Sequence, residues 1–147
     1  MAYYAYVAQL MDSICTTLGK EAEALHYRNL YSDIRSEFQQ RYMTADGNLK
    51  QTSQTAYLLA LRFDLLPEPY RQAARDSLRQ RIETNDYCLS TGFVGTGILC
   101  KTLTDEGMND LAYALLLQRK NPSWLYSIDQ GATTVWERWD SYKLEEG

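Results

Sequence analysis

Helical spacing of apolar residues is the feature that most constrains how this chain folds. Tyr4, Val7, Met11, Ile14 and Leu18 recur at steps of three and four, which places them along one stripe of an α-helix. Comparable spacing runs through every long segment, and no segment alternates convincingly in the manner of a β-strand. The pattern therefore predicts an all-α chain.

Short loops join the predicted helices, which number roughly seven. Gly19 ends the first helix, a second is expected from about 21 to 43, and Pro67 and Pro69 mark the start of the fourth. Short loops make neighbouring helices antiparallel. A tandem solenoid would repeat a motif at constant spacing, and none is found. Stacked helical hairpins in an α/α barrel, or in part of one, are favoured.

Two of these helices carry more specific expectations. The third, from about 52 to 63, is almost uniformly apolar, which is typical of a buried helix. The fourth has an arginine-rich face that we interpret as solvated rather than as a phosphate site; it comprises Arg71, Arg75, Arg79 and Arg81.

Length, charge and cysteine content restrict the function. A chain of 147 residues is expected to form one domain with a sizeable core. The formal net charge of −4 argues against a nucleic-acid reader. Cys15, Cys88 and Cys100 are widely spaced and His26 is the single histidine, so neither a zinc site nor a disulfide framework is expected. We predict that the cysteines are small buried residues and that His26 is solvated.

Membrane and export signals are not expected either. The sequence has no apolar run of the ~20 residues that span a bilayer. Residues 1–10 lack the basic start and the cleavage site of a signal peptide. The compartment of the complete protein stays open, as cytoplasmic, periplasmic or secreted.

Aromatic residues are abundant, at 12% of the chain, with 12 tyrosines. Aromatic faces stack on the C–H surfaces of sugars, so this content points toward carbohydrate. Tyrosines that fill helix interfaces with their hydroxyls in water are the alternative explanation.

A glycine-rich stretch, residues 89–97, reads LSTGFVGTG. It lacks the lysine and the preceding strand of a nucleotide-binding loop. We predict a loop at the inner rim, where Gly92, Gly95 and Gly97 allow close backbone approach. Ser90 and Thr91 would offer hydroxyls to a sugar there.

Residues 133–140, which read TTVWERWD, hold the densest set of functional side chains. Two indoles flank a carboxylate. A sugar hydrolase needs apolar platforms that hold the ring and a carboxyl group that transfers protons. Thr134 and Glu137 also fit a helix capping box, with Glu137 at the third position of a last helix. Both interpretations stay open and are compatible, because a helix start keeps a nearby carboxylate ionised.

Three further segments complete a pattern. Residues 54–67 begin QTAY and end FDLLP, residues 89–96 read LSTGFVGT, and residues 122–126 read PSWLY. Together with ATTVWERWD at residues 132–140, and in this order, they resemble the bacterial α-L-rhamnosidases, glycoside hydrolase family 78. The resemblance covers nearly the whole chain and is specific in combination.

This resemblance implies an (α/α)6-barrel catalytic domain that hydrolyses terminal α-L-rhamnose from a glycoside or polysaccharide with inversion. It assigns Glu137 as the general base. Trp136, Trp139, Thr91 and Gly92 would bind the sugar, and Glu137 is expected near the loop of residues 90–96 on the inner rim. No metal or organic cofactor is implied.

The family's general-acid motif, which precedes the matched region, is not found in this sequence. We therefore expect residues 1–147 to be part of a barrel whose first half and last helix are missing, inactive alone and able to form a homodimer through exposed edges. Two alternatives remain. One is a non-catalytic helical module that binds carbohydrate or a protein; the other is an α/α-barrel enzyme that acts on another sugar.

Overall fold

The computed structural model describes residues 1–141 and is built from α-helices, as predicted. Within that range the β pairing is a single isolated antiparallel bridge between Met43 and Leu49. The helices are α1 (Ala2–Thr17), α2 (Glu21–Tyr42), α3 (Gln54–Arg62), α4 (Glu68–Thr84), α5 (Phe93–Asp105), α6 (Asn109–Leu117) and α7 (Trp124–Asp129).

The chain divides into two compact units. The first unit contains residues Met1–Thr52 and Ala56–Arg75, and the second unit contains Ser53–Thr55 and the chain from Asp76 onward. The unit boundaries fall inside α3 and α4, so each of these helices contributes to both units.

A tight turn joins α1 and α2 into a hairpin in the first unit. Gly19 has a φ of +68°, which a residue without a side chain adopts freely. The backbone N–H of Lys20 donates to the carbonyl of Cys15 at 2.8 Å, and that of Gly19 donates to Thr16 at 3.1 Å. These two bonds form a Schellman motif, so the predicted stop at Gly19 is confirmed.

The apolar stripe of α1 is not its buried face, which corrects the simplest interpretation of the sequence pattern. The buried residues of α1 are the small Ala5, Ala8 and Cys15. Val7 and Leu18 from the stripe are exposed, the latter by 64%. The buried face of α1 is therefore formed by small side chains, while Tyr3 and Tyr6 contact the ring of Phe63.

Helix α3 is buried as predicted, with Tyr57, Leu58, Ala60 and Leu61 all at most 4% exposed. Its C-terminal end is held by polar side chains of the first unit. Tyr31 Oη donates to the carbonyls of Phe63 and Asp64, Arg35 to that of Leu66, Gln39 to that of Leu65, and Arg71 to the Asp64 carboxylate.

In the second unit the core is aliphatic and comprises Leu78, Ile82, Leu89, Leu99, Leu103, Leu111 and Leu115. Arg79 on α4 pairs with Asp110 on α6 at 2.7 Å. The arginine-rich face of α4 was predicted to be solvated, and this is wrong for Arg71 and Arg79, which are partly buried in ion pairs. Arg81 is exposed as predicted.

The glycine-rich stretch is a loop only as far as Gly92, which caps the N-terminus of α5. Its carbonyl accepts from the backbone N–H groups of Gly95 and Thr96, both at 3.0 Å. Gly95 and Gly97 therefore lie inside a helix, where a loop was predicted. A Cβ at Gly95 would lie 2.6 Å from Thr55 Oγ1, so the close approach expected of this glycine does occur.

Candidate active site

A cavity of about 610 Å³ lies within the second unit and gathers the site residues that the sequence predicted. Three segments line it: the start of α5, the approach to α7, and residues 135–140. Glu137, Trp136, Trp139, Thr91 and Gly92 all border this space. Glu137 thus lies near the 90–96 region, as expected.

Two carboxylates, those of Glu137 and Asp140, border the cavity, and both residues are exposed. Among residues 1–141, no group is hydrogen bonded to or paired with the Glu137 carboxylate. The Glu137 carboxylate therefore borders the cavity without a partner among these residues.

Indole rings build the apolar wall of the cavity. Trp136 and Trp139 are half-buried, and the ring of Trp124 meets that of Trp139 edge-to-face, with centroids 5.8 Å apart and planes at 90°. Nε1 of Trp139 donates to the backbone carbonyl of Thr91 at 3.2 Å. This bond ties the segment that carries Glu137 to the start of α5.

Thr91 and Ser90 have different surroundings, although both were expected to offer hydroxyls to one sugar. Thr96 Oγ1 donates to the carbonyl of Gly92 at 2.9 Å, and it also lies 2.9 Å from Thr91 Oγ1. In the bond between the two hydroxyls, either Thr91 or Thr96 can be the donor. Ser90 borders a separate polar cavity of about 210 Å³ and not the one that holds Glu137.

The capping-box interpretation of residues 134–137 is wrong for the described chain. Residues 131–141 contain no helix. Instead, the backbone N–H of Arg138 donates to Oγ of Ser141, whose hydroxyl donates back to the Arg138 carbonyl, both at 3.0 Å. Such local side-chain bonds compete with helix formation. The predicted last helix beyond Ser141 lies outside the described residues.

Phe93 and Trp124 line the cavity and had no role assigned from sequence. Phe93 is the first residue of α5 and is 91% exposed. Trp124 opens α7, whose N-terminus is capped by the fully buried Ser123 Oγ, which accepts from the backbone N–H of Tyr126 at 3.1 Å. The Pro-Ser-Trp sequence signals a helix start, but only the fold brings this indole to Trp139.

The remaining titratable candidates do not gather into a second reactive centre. Burial, and then the charge on Asp86, raises the pKa of the Cys88 thiol, while Lys120 acts in the opposite direction. A raised pKa keeps this sulfur protonated at neutral pH, as expected for a structural cysteine. His26 is exposed, as predicted. Within residues 1–141, no three His, Cys, Asp or Glu side chains group as metal ligands, and no helix there is long and apolar enough to span a membrane.

Comparison with known families gives a match over residues 1–147. The family model is that of the bacterial alpha-L-rhamnosidase 6 hairpin glycosidase domain. An alpha-L-rhamnosidase of Streptomyces avermitilis is 48% identical over 146 residues, which is 99% of this chain and 14% of that protein. One from Formosa agariphila is 43% identical over 99% of this chain and 16% of its own length.

Solved structures give the same result. The alpha-L-rhamnosidase of Aspergillus terreus superposes with a TM-score of 0.93 at 39% identity, over 96% of this chain and 16% of that one. The Streptomyces avermitilis enzyme complexed with L-rhamnose gives 0.90 at 49% identity, over 95% and 13%. The predicted class of antiparallel helical hairpins is confirmed, and the chain spans about one sixth or less of the relatives that it matches.

Proposed function

Because the chain belongs to the family of bacterial α-L-rhamnosidase 6 hairpin glycosidase domains, we propose that it supplies the general-base side of a site that hydrolyses terminal α-L-rhamnosides. The observation that carries this proposal is the carboxylate of Glu137, unpaired within residues 1–141, which borders the same 610 Å³ cavity as the indoles of Trp136 and Trp139. The volume suits a sugar and part of its aglycone, since ligand cavities span roughly 300–1,000 Å³.

In the proposed mechanism, Glu137 accepts a proton from a water molecule while that water attacks the anomeric carbon. The glycosidic bond breaks, and the leaving oxygen takes a proton from a carboxylic acid on the opposite side of the sugar. Attack from the side opposite the leaving group inverts the anomeric configuration. This arrangement requires the two carboxyl groups to be roughly 6.5–9.5 Å apart, leaving room for the water.

Trp136 and Trp139 are proposed to bind the apolar surface of the rhamnose ring and its methyl group. Indoles combine a large apolar face with a polar N–H, so they both hold and orient a sugar. In Trp139 the N–H is already used by the Thr91 carbonyl, which fixes the plane of the ring. Gly92, which carries no side chain, keeps the adjacent border of the cavity open.

The proton donor is proposed to lie outside this chain, in a first half of the barrel that the complete protein supplies together with a last helix. The relatives are several times longer than the chain, which leaves room for such a part. Residues 1–147 alone are then expected to be inactive. Hydrolysis of p-nitrophenyl α-L-rhamnoside by the isolated chain, above the buffer rate, would contradict this division.

The direct test of the proposed site is sugar binding. L-rhamnose is expected to shift the NMR signals of the Trp136 and Trp139 indoles in the 147-residue chain, whereas L-fucose, another 6-deoxyhexose, shifts them less. The complete protein is expected to release β-L-rhamnose first, as one-dimensional NMR of the anomeric protons would record. Release of the α anomer first would overturn the inverting mechanism.

We also propose that the isolated chain forms a homodimer. In the first unit, α1 exposes an apolar surface that includes Val7, Leu10, Ile14 and Leu18. Contiguous apolar surface of more than a few hundred Å² commonly marks an association site. Light scattering is expected to give twice the chain mass, and Leu10→Glu with Ile14→Glu is expected to restore the monomer. A sharp monomer for the unmodified chain would contradict the proposal.

A further inference from the structure

Gln54, the first residue of α3, is buried to 2% exposure and has both ends of its amide in use. Its Oε1 accepts from the backbone N–H of Ser90 at 3.1 Å. Its Nε2 donates to the backbone carbonyl of Cys88 at 3.3 Å. The side chain therefore pairs with the chain at residues 88–90 as a neighbouring strand would, although these residues lie in no sheet.

One covalent step along the chain and one further hydrogen bond lead from this contact to the cavity. Thr91 follows the two residues that Gln54 holds, and its carbonyl accepts from Trp139 Nε1 at 3.2 Å. Trp139 lies two residues beyond Glu137, on the same helix-free segment. The position of the Thr91 carbonyl therefore sets where Trp139 is anchored, and through it where the Glu137 carboxylate is presented.

The neighbouring contacts of the same segment explain why it is held at this place. Leu89 N–H donates to the Pro122 carbonyl at 2.9 Å, and the Cys88 carbonyl accepts a second bond from Asn85 Nδ2 at 2.8 Å. Within this group, the Ser90 N–H depends on Gln54 alone among the described bonds. This bond is part-buried, so a Ser90 N–H that loses its acceptor must move or bond with water.

We infer that Gln54 is a positioning residue for the general base: its buried amide fixes residues 88–91, and the Thr91 carbonyl in turn fixes Trp139 and the segment that bears Glu137. This inference rests on the proposed function for its catalytic meaning. Its structural part, the coupling of Gln54 to Trp139, stands independently of any sugar.

The structural part is tested on the ¹⁵N-labelled 147-residue chain, with indole signals assigned by single Trp→Phe variants. Gln54→Leu is expected to speed solvent exchange of the Trp139 indole N–H by about three- to tenfold, the factor that corresponds to the loss of one net hydrogen bond. Gln54→Glu keeps an acceptor for Ser90 but loses the donor to Cys88, so a smaller acceleration is expected.

Gln39→Leu is the matched control, because it makes the same substitution and removes one side-chain bond, the 2.9 Å bond to the Leu65 carbonyl in the first unit. It is expected to lower the melting temperature without changing Trp139 exchange. Unchanged exchange in a folded Gln54→Leu chain would overturn the inference. Should that variant fail to fold, unchanged exchange in Gln54→Glu would overturn it instead.

The catalytic part is tested in the complete protein on p-nitrophenyl α-L-rhamnoside. Gln54→Leu is expected to lower kcat by about ten- to a hundredfold with KM nearly unchanged, which is within the contribution of one general base. In a protein that already carries Glu137→Gln, Gln54→Leu is expected to cause no further loss of kcat, because both substitutions act on one group. Full additivity would overturn the inference, whereas a wild-type protein inactive on rhamnosides would refute the proposed function and leave the exchange result standing.

Discussion

The two units fix a loop with the same chemical device, but they differ in how one carboxylate of each unit is paired. In the first unit, Tyr31, Arg35 and Gln39 bind backbone carbonyls of residues 63–66. In the second unit, Gln54 binds residues 88–90. The difference lies in the carboxylates: Asp64 is paired with Arg71 at 2.9 Å and with Arg35 at 3.7 Å, whereas Glu137 has no partner within residues 1–141.

The cavities differ accordingly. The first unit has a cavity of about 130 Å³, with largely apolar lining from residues such as Phe38 and Leu49. The candidate site of the second unit is a cavity of about 610 Å³ that is bordered by carboxylates and indoles. Asp64 therefore stabilises the fold of its unit, whereas Glu137, unpaired within residues 1–141, borders the cavity of the proposed site.

The largest expected effect is on kcat, and it distinguishes the Glu137 carboxylate from that of Asp64. In the complete protein, Glu137→Gln is expected to lower kcat on a rhamnoside by about 10²–10⁴-fold, because the amide cannot accept the proton of the attacking water. KM is expected to change much less, since the shape is kept. Asp64→Asn is the control, with lower stability and near-normal kcat. A Glu137→Gln turnover within a factor of two of wild type would reject the assignment.

Alanine substitutions at two glycines with positive φ allow the local packing of the two units to be compared. Alanine at Gly47 (φ +84°) or at Gly131 (φ +82°) would strain the backbone, which lowers the free energy of unfolding by roughly 1–2 kcal/mol. A Cβ at Gly47 would also collide with the ring of Tyr70, whereas one at Gly131 meets no atom within 4 Å. Gly47→Ala is expected to lose about 1–3 kcal/mol more, the usual range for overpacking. Equal losses in the free energy of unfolding for Gly47→Ala and Gly131→Ala, measured by urea denaturation, would contradict this.

Tyr31 makes the first unit sensitive to alkali. Burial, and then the charge on Asp64, raises its pKa above the usual value near 10, against the opposing effects of Arg35 and Arg71. The folded state then holds the phenolic proton more tightly than the unfolded state. This stabilisation is complete below about pH 10 and is lost as pH rises through the raised pKa.

The measurement is the free energy of unfolding between pH 8 and pH 11. Tyr31→Phe is expected to flatten its decline above pH 10 and to cost about 1 kcal/mol at neutral pH, where its hydrogen bonds are lost. Tyr113→Phe is the control because Tyr113 is 65% exposed. An identical alkaline slope for wild type and Tyr31→Phe would contradict the prediction. Burial also raises the pKa of Cys88 and Cys100, so some decline remains in the variant.

The smallest effect on stability is expected at Phe93. Phe93→Ala is expected to change the free energy of unfolding by under about 0.5 kcal/mol, because the ring is exposed. It is expected to weaken binding of an aryl rhamnoside by roughly two- to tenfold, since an aromatic contact contributes about 0.5–1.5 kcal/mol. Tyr4→Ala, at an exposed aromatic of the first unit, is expected to leave binding unchanged. Unchanged affinity in Phe93→Ala would remove Phe93 from the site.

Much of the site could be predicted because neighbouring residues carry it. Trp136, Glu137 and Trp139 lie within four positions, so their grouping needs no long-range contact. Trp124 and Phe93 could not be assigned, because their place at the cavity depends on packing between separate helices. The role of Gln54 was hidden for the same reason: its partners are 34 and 36 residues away.

Local backbone conformation is likewise predictable from sequence at some positions and not at others. The end of α1 at Gly19 follows from one residue's freedom at positive φ, and the sequence alone predicts it. Residues 134–137 carry a capping-box pattern and still form no helix. There Trp139 is anchored to Thr91, which is 48 residues away, and Ser141 binds the nearby Arg138 backbone, so one distant and one local contact override a weak helix preference.

The sequence by itself determined the helices, because their apolar period and their stop signals act within a few residues. It also determined the family, because four short motifs occur in one order. Only the tertiary structure decided which face of α1 is buried, that Arg71 and Arg79 of α4 form ion pairs, and that Glu137 borders a cavity with no partner within residues 1–141. Those outcomes depend on the distances between side chains far apart in sequence, and a hydrogen bond or ion pair forms only when folding brings its two groups within about 3 Å.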